Sequence, residues 1–148
     1  MKIYEAQLDD TLLETLIAFS RDWEAEQSCH GYRANGREDI EGRRIFLAEA
    51  DGVIIGYLFG SAERTEKQSS IMPEGTTYFE VEELYVVPAQ RSRGVGAALV
   101  AYAEKAVSAE AEYLLLSTAT KNARAILHFY LDVVDMQFWS ARLFKPLR

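Results

Sequence analysis

A chain of 148 residues and 16.7 kDa is the size of one domain with one sizeable core, and 49% hydrophobic with 26% charged residues excludes a disordered chain. A net charge of −7 and a pI near 4.9 argue against a nucleic-acid partner and suit a cationic one. The lone Cys29 excludes an intrachain disulfide. With His30 and His128 it makes no zinc-site spacing, and no apolar run reaches signal-peptide length or the roughly 20 residues of a membrane span, so a cytoplasmic protein without metal is expected.

Residues 2–7 alternate weakly and predict a short first strand. Asp9, Asp10 and Thr11 then open a helix, with Thr11 and Glu14 spaced as a capping box. Leu12, Leu13, Leu16, Ile17, Phe19 and Trp23 recur every three or four residues as far as residue 27, so one face of that helix packs on a core. Gly31, Asn35 and Gly36 make 28–36 a loop, followed by a short helix around 37–43. Cys29 and His30 do not read as a nucleophile and base, because sequence neighbours rarely meet in that geometry.

Two apolar runs, 45–50 and 53–61, flank Asp51-Gly52, the dipeptide preferred in a two-residue type I′ hairpin turn. After a connecting loop over 64–77, residues 78–87 form a strand that ends at Pro88. Val95, Leu99, Tyr102 and Ala106 then mark the buried face of a helix ending near Ser108. The triple leucine in 113–118 predicts a buried strand, and 122–131 a helix carrying Ala125, Ile126, Phe129 and Tyr130. Strand, helix, strand implies a parallel pair with a crossover. Residues 136–147 read as a strand or hairpin returning to the sheet, stopped at an edge by Pro146. No second-domain linker interrupts 1–148, which is expected to be a single domain.

The turn after the 78–87 strand, Arg91-Ser92-Arg93-Gly94-Val95-Gly96, leads straight into a helix. A helix N-terminus presents unpaired N–H groups and the positive end of its dipole, glycines let backbone approach an anion, and arginines add charge-assisted hydrogen bonds. The pattern therefore predicts a phosphate site. It is not a P-loop, since Gly96 is followed by Ala97-Ala98, and it is not a dinucleotide fingerprint, since Leu99 stands where a third small residue is required.

The order Arg-x-x-Gly-x-Gly (Arg91, Gly94, Gly96) after Glu-Leu-Tyr-Val (83–86) and Pro88 resembles the acetyl-coenzyme A motif of the GNAT superfamily of N-acetyltransferases. The likeness runs over most of the chain, through the first strand and helix, the hairpin, and the helix after Asn122. It implies an α/β fold with a mixed, mostly antiparallel sheet, flanked by helices, whose central parallel strands splay apart. It implies acetyl-CoA as co-substrate, with Leu84, Tyr85 and Val86 pairing with the pantetheine arm. Arg91, Ser92, Arg93, Gly94, Val95, Gly96 and Ala97 would cradle the pyrophosphate, with Asn122 near the cofactor from the other side. Homodimers are common among such relatives.

Transfer of an acetyl group to an amine needs a base, an oxyanion donor and an acid. Strand alternation puts Glu80 and Glu82 on one face and Glu83 on the other, unless a bulge exchanges the faces. The resemblance carries the base onto Glu82 first and Glu80 second, with Glu83 as the register-dependent alternative. It carries the acid onto Tyr130, with Phe129 at that position by strict counting from Asn122, and the oxyanion donor onto the backbone N–H of Tyr85 or Val86. The resemblance implies an acceptor site, for a small cationic molecule or a peptide amine, around Trp23, Glu26, Tyr32 and Trp139, which no motif labels. The alternative is a non-catalytic module of the same fold that binds acyl-CoA.

Overall fold

The computed structural model describes residues 1–148, and its strands lie in one sheet in sequence order. They are β1 (Lys2–Ala6), β2 (Arg44–Ala50), β3 (Val53–Arg64), β4 (Thr77–Val86) and β5 (Tyr113–Leu116). The first four run antiparallel to their neighbours, and β4 and β5 are parallel. The β2–β3 turn is the expected one, since Asp51 and Gly52 both have positive φ, 51° and 76°.

Helix α1 (Asp10–Glu26) covers one face of the sheet, with the short α2 (Arg37–Ile40) beside it, and α3 (Val95–Val107) covers the other. Leu12, Leu13 and Leu16 of α1 pack on Ile45, Leu47, Tyr57, Phe59 and Tyr85. Val95, Leu99, Val100, Ala103 and Val107 of α3 pack on Phe46, Leu58, Phe79 and Val81. Each such side chain buried from water contributes roughly 1.5–3 kcal/mol, so the two apolar clusters clamp the sheet from both sides. The cap of α1 differs from the expected Thr11–Glu14 box. Asp9 caps it, its Oδ1 accepting from the Leu12 N–H at 2.7 Å, because Asp9 holds extended backbone while Thr11 is already helical.

A bulge in β4 sets which side chains face which helix. Glu83 pairs with Phe59 and Val81 with Gly60, so Glu82 is the extra residue with no partner on β3. Val81 consequently joins the α3 cluster while Tyr85, four residues on, joins the α1 cluster. Gly60 permits this, since a Cβ there would collide with the Glu80 carbonyl oxygen. The alternation that would place Glu83 opposite Glu80 and Glu82 therefore does not hold.

The end of the chain departs most from expectation. Residues 136–148 form neither helix nor strand, and Leu143, Phe144 and Leu147 are 95%, 74% and 90% exposed. β5 is thus the sheet edge, and Leu114, Leu115 and Leu116 are half-buried instead of buried. The helix after Asn122 is also different: α4 (Ala123–Leu127) opens into a π-helix over His128–Val133. Asp135, just beyond it, takes up left-handed backbone at φ 59°.

Candidate active site

β4 and β5 pair from Tyr78↔Tyr113 to Val81↔Leu116 and then part, so the split opens at the bulged Glu82. Beyond it only β3 pairs with β4. The Val87 N–H donates to the Ile55 carbonyl at 2.9 Å. Antiparallel alternation then turns the N–H and C=O groups of Tyr85 toward β3 and those of Leu84 and Val86 toward the side β5 has left. An extended ligand in the split would meet Leu84 and Val86 as an added strand.

At the end of β4 a 3-10 turn (Pro88–Gln90) leads into the glycine turn. Ser92 and Gly94 have positive φ, 62° and 83°, and the backbone N–H groups of Ser92, Arg93, Gly94, Val95, Gly96 and Ala97 have no acceptor within the protein. Gathered at the N-terminus of α3, they are a run of free donors of the kind that binds an anion. The glycines serve different ends. Gly94 supplies the left-handed conformation, with open space where a Cβ would stand, whereas a Cβ on Gly96 would lie 3.2 Å from the Phe129 ring. Gly96 therefore admits Phe129 against α3.

The arginines of the turn also differ. Arg91 donates through Nε to the Val86 carbonyl at 2.8 Å and through both terminal nitrogens to the Glu26 carboxylate at 2.6 and 2.9 Å. Arg93 is exposed and takes part in no ion pair or side-chain hydrogen bond. Asn122 caps α4 through Oδ1, which accepts from the Ala125 N–H at 3.5 Å, on the far side of the split.

The bulge gathers Glu80, Glu82 and Glu83 on the α1 face. Glu82, 31% exposed at its side chain, pairs with Arg43 at 2.6 Å. Glu80 makes no side-chain hydrogen bond; burial first, then the charges of Glu82 and Glu63, hold its carboxyl above the usual range. Glu83 is the deepest. It accepts from the Tyr57 hydroxyl at 2.8 Å, Asn35 Nδ2 at 3.0 Å and the Tyr32 hydroxyl at 3.1 Å. Burial pushes its carboxyl up, and those donors partly offset the rise. Tyr57 and Asn35 were not among the sequence candidates. The available signal was a tyrosine within the otherwise apolar Ile-Ile-Gly-Tyr-Leu-Phe run of β3, whose buried hydroxyl requires a partner.

A strap formed by residues 28–36 crosses between α1 and the end of β5. The His30 N–H donates to the Ala119 carbonyl and the Lys121 N–H to the Ser28 carbonyl, both at 2.8 Å. Ala34 and Asn35 N–H groups bond to Glu24 and Ser20 of α1. Between strap and helix lies a cavity of about 230 Å³ with Trp23, Tyr32 and Lys121 in its wall, the first two rings stacked at 4.4 Å. Tyr130 lies near Cys29 of the strap, makes no side-chain hydrogen bond, and has its hydroxyl pushed up to about 12, first by burial and then by Cys29. Phe129 turns toward Gly96 instead. Of the expected acceptor residues, Trp23 and Tyr32 meet, Glu26 is bound to Arg91, and Trp139 bonds to Ser70 in the β3–β4 loop at 3.0 Å.

No three His, Cys, Asp or Glu side chains are gathered as a metal site, and no helix is long and apolar enough to cross a membrane. The site is thus a mixed sheet split beside a helix N-terminus rich in free N–H groups. Residues 7–132 match the Acetyltransferase (GNAT) family, and the chain belongs to it. No curated protein matches the chain. Among solved structures it is similar to a mutant of the BH1408 protein from Bacillus halodurans (17% identity, all of both chains, TM-score 0.77). It is also similar to aminoglycoside N-acetyltransferase AAC(6')-Iy in complex with CoA (20% identity, 99% of both chains, TM-score 0.66) and to a transcriptional regulator from Bacillus halodurans (15%, 99% of both chains, TM-score 0.70). At these identities the likeness is one of fold.

Proposed function

We propose that the protein transfers an acetyl group from acetyl-CoA to a primary amine on a small cationic molecule or peptide. The observation that carries this reading is the split at Glu82, with unpaired N–H donors beyond one end and carboxylates massed on the α1 face at the other. Acetyl-CoA supplies the acetyl thioester. The N–H groups from Ser92 through Ala97 and the Arg93 side chain hold its pyrophosphate, and outward-turned groups of Leu84 and Val86 align the pantetheine arm and offer an N–H to the carbonyl oxygen.

The carboxylates of Glu80, Glu82 and Glu83 draw in an ammonium group and favour a polycation. Aminoglycosides, acted on by proteins of the same fold, belong in the first panel for that reason. Glu82, the member reachable from solvent at the mouth of the split, accepts the amine proton directly or through water, and Glu80 behind it is the second carboxylate. The new N–C bond forms as the C–S bond breaks, and the Tyr130 hydroxyl, whose burial favours the neutral form, gives its proton to the departing thiolate. The Glu83 acceptors are committed to Tyr57, Asn35 and Tyr32, a holding role.

Thiol release from acetyl-CoA, followed across polyamines, aminoglycosides, amino acids and peptides, tests the proposal. Release that depends on one class of amine supports it. Coenzyme A binding by calorimetry with no turnover on any amine replaces it with the binding-module reading.

A further inference from the structure

Arg91 is the first residue of the glycine turn, yet its guanidinium points back along the chain and not toward the free N–H groups. Its two terminal nitrogens grip both oxygens of Glu26, its Nε holds the Val86 carbonyl, and its carbon lies 5.4 Å from the centroid of the Tyr85 ring. Glu26 is the last residue of α1, whose final turns also carry Trp23 and Glu24 of the cavity wall. One bidentate pair thus ties the helix on the acceptor side to the start of the turn and to the end of β4. A bare carboxylate beside a phosphate site would repel the ligand, and Arg91 neutralises it. Arg93 remains as the exposed cation of the turn.

We propose that Glu26 is a positioning residue for coenzyme A: acting through Arg91, it fixes the turn that presents the N–H groups, while Arg93 supplies the free positive charge. The inference rests on the reading of this turn as the pyrophosphate site. It divides the labour between two arginines that look equivalent in sequence. It also makes an opposed prediction, because removing a negative charge near an anion site should tighten binding unless that charge is holding the turn in place.

Calorimetric titration of coenzyme A into the full chain tests it. Glu26→Gln and Arg91→Gln should each weaken binding about tenfold, the size expected for one lost charge-assisted bond, and the double variant should be no weaker than either single one. Glu26→Asp keeps the charge but is one methylene too short to hold both nitrogens, and should resemble Glu26→Gln. Arg93→Gln should weaken binding and flatten its salt dependence, whereas Glu26→Gln, which leaves the Arg91 charge unpaired, should weaken binding without flattening it. Tighter or unaltered binding in Glu26→Gln, wild-type binding in Glu26→Asp, or a fall in Tm alone overturns the role given to Glu26. Failure of the wild-type chain to bind coenzyme A overturns the reading of the turn itself.

Discussion

The Tyr57 hydroxyl donates to Oε1 of Glu83 at 2.8 Å, joining the middle of an apolar strand to the carboxylate just past the β4 bulge. Tyr57 is fully buried, and its hydroxyl is raised first by that burial and then by the Glu83 charge. The bond exists because the bulge turned Glu83 into the α1 core, where a carboxylate without donors would be costly.

A pH signature follows. Glu80 and Glu83 both have carboxyls held above the usual carboxylate range, in each case first by burial. The folded chain therefore binds these protons more tightly than the unfolded chain. Their contribution to stability is fully present below the ordinary carboxylate range and is lost as pH rises through the raised folded values. Glu5, lowered by its bond to Arg44, acts in the opposite direction. Thermal melts of the Glu80→Gln, Glu83→Gln variant should thus decline less than wild type from about pH 4.5 upward. A pH dependence identical to wild type would show that neither carboxyl is perturbed.

Glu82→Gln should lower kcat by about 100-fold or more while leaving coenzyme A affinity unchanged, as expected for loss of a general base. Glu80→Gln should have a smaller effect. Should the two effects be reversed, Glu80 takes the proton and the Arg43 pair makes Glu82 structural.

Tyr130→Phe keeps the ring and removes a hydroxyl that has no side-chain hydrogen-bond partner, so the melting temperature should hardly move while kcat falls by about tenfold to 100-fold. Unchanged kcat removes Tyr130 as the acid. Phe129→Tyr should not rescue the variant, because Phe129 packs against Gly96 and α3.

Gly60→Ala and Gly94→Ala separate two uses of glycine. The first drives a methyl into the Glu80 carbonyl and should cost about 3 kcal/mol or prevent folding, since overpacking there cannot relax without undoing the bulge. The second meets open space but forces alanine to φ 83°, a cost of roughly 1–2 kcal/mol. Denaturant midpoints of the two variants compare them directly. A similar loss at both positions would contradict the steric account of the bulge.

The legible part of the structure was local. The Asp51-Gly52 turn, the amphipathic faces of α1 and α3 and the Gly94 turn depend on residues a few positions apart, and each formed where the pattern places it. The conformation of the turn before α3 was legible for the same reason, because its glycines and free N–H groups are consecutive backbone positions at a helix start. The less legible part was the chemistry of β4. Whether Glu83 points in or out depends on a bulge made possible by Gly60 in another strand, and its partners Asn35 and Tyr57 lie 48 and 26 residues away.

The sequence by itself determined the order of elements as far as α4 and the glycine turn that opens α3, since these follow from short-range sterics and periodicity, while the acetyltransferase family rests on the motif's resemblance and the match over residues 7–132. Only the tertiary structure decided that Arg91 grips Glu26 while Arg93 stays free, that the carboxylates share one face, and that the aromatic tail after residue 136 leaves β5 as the sheet edge. Those outcomes turn on contacts between distant segments, where apolar pattern and propensity allow more than one partner and packing selects among them.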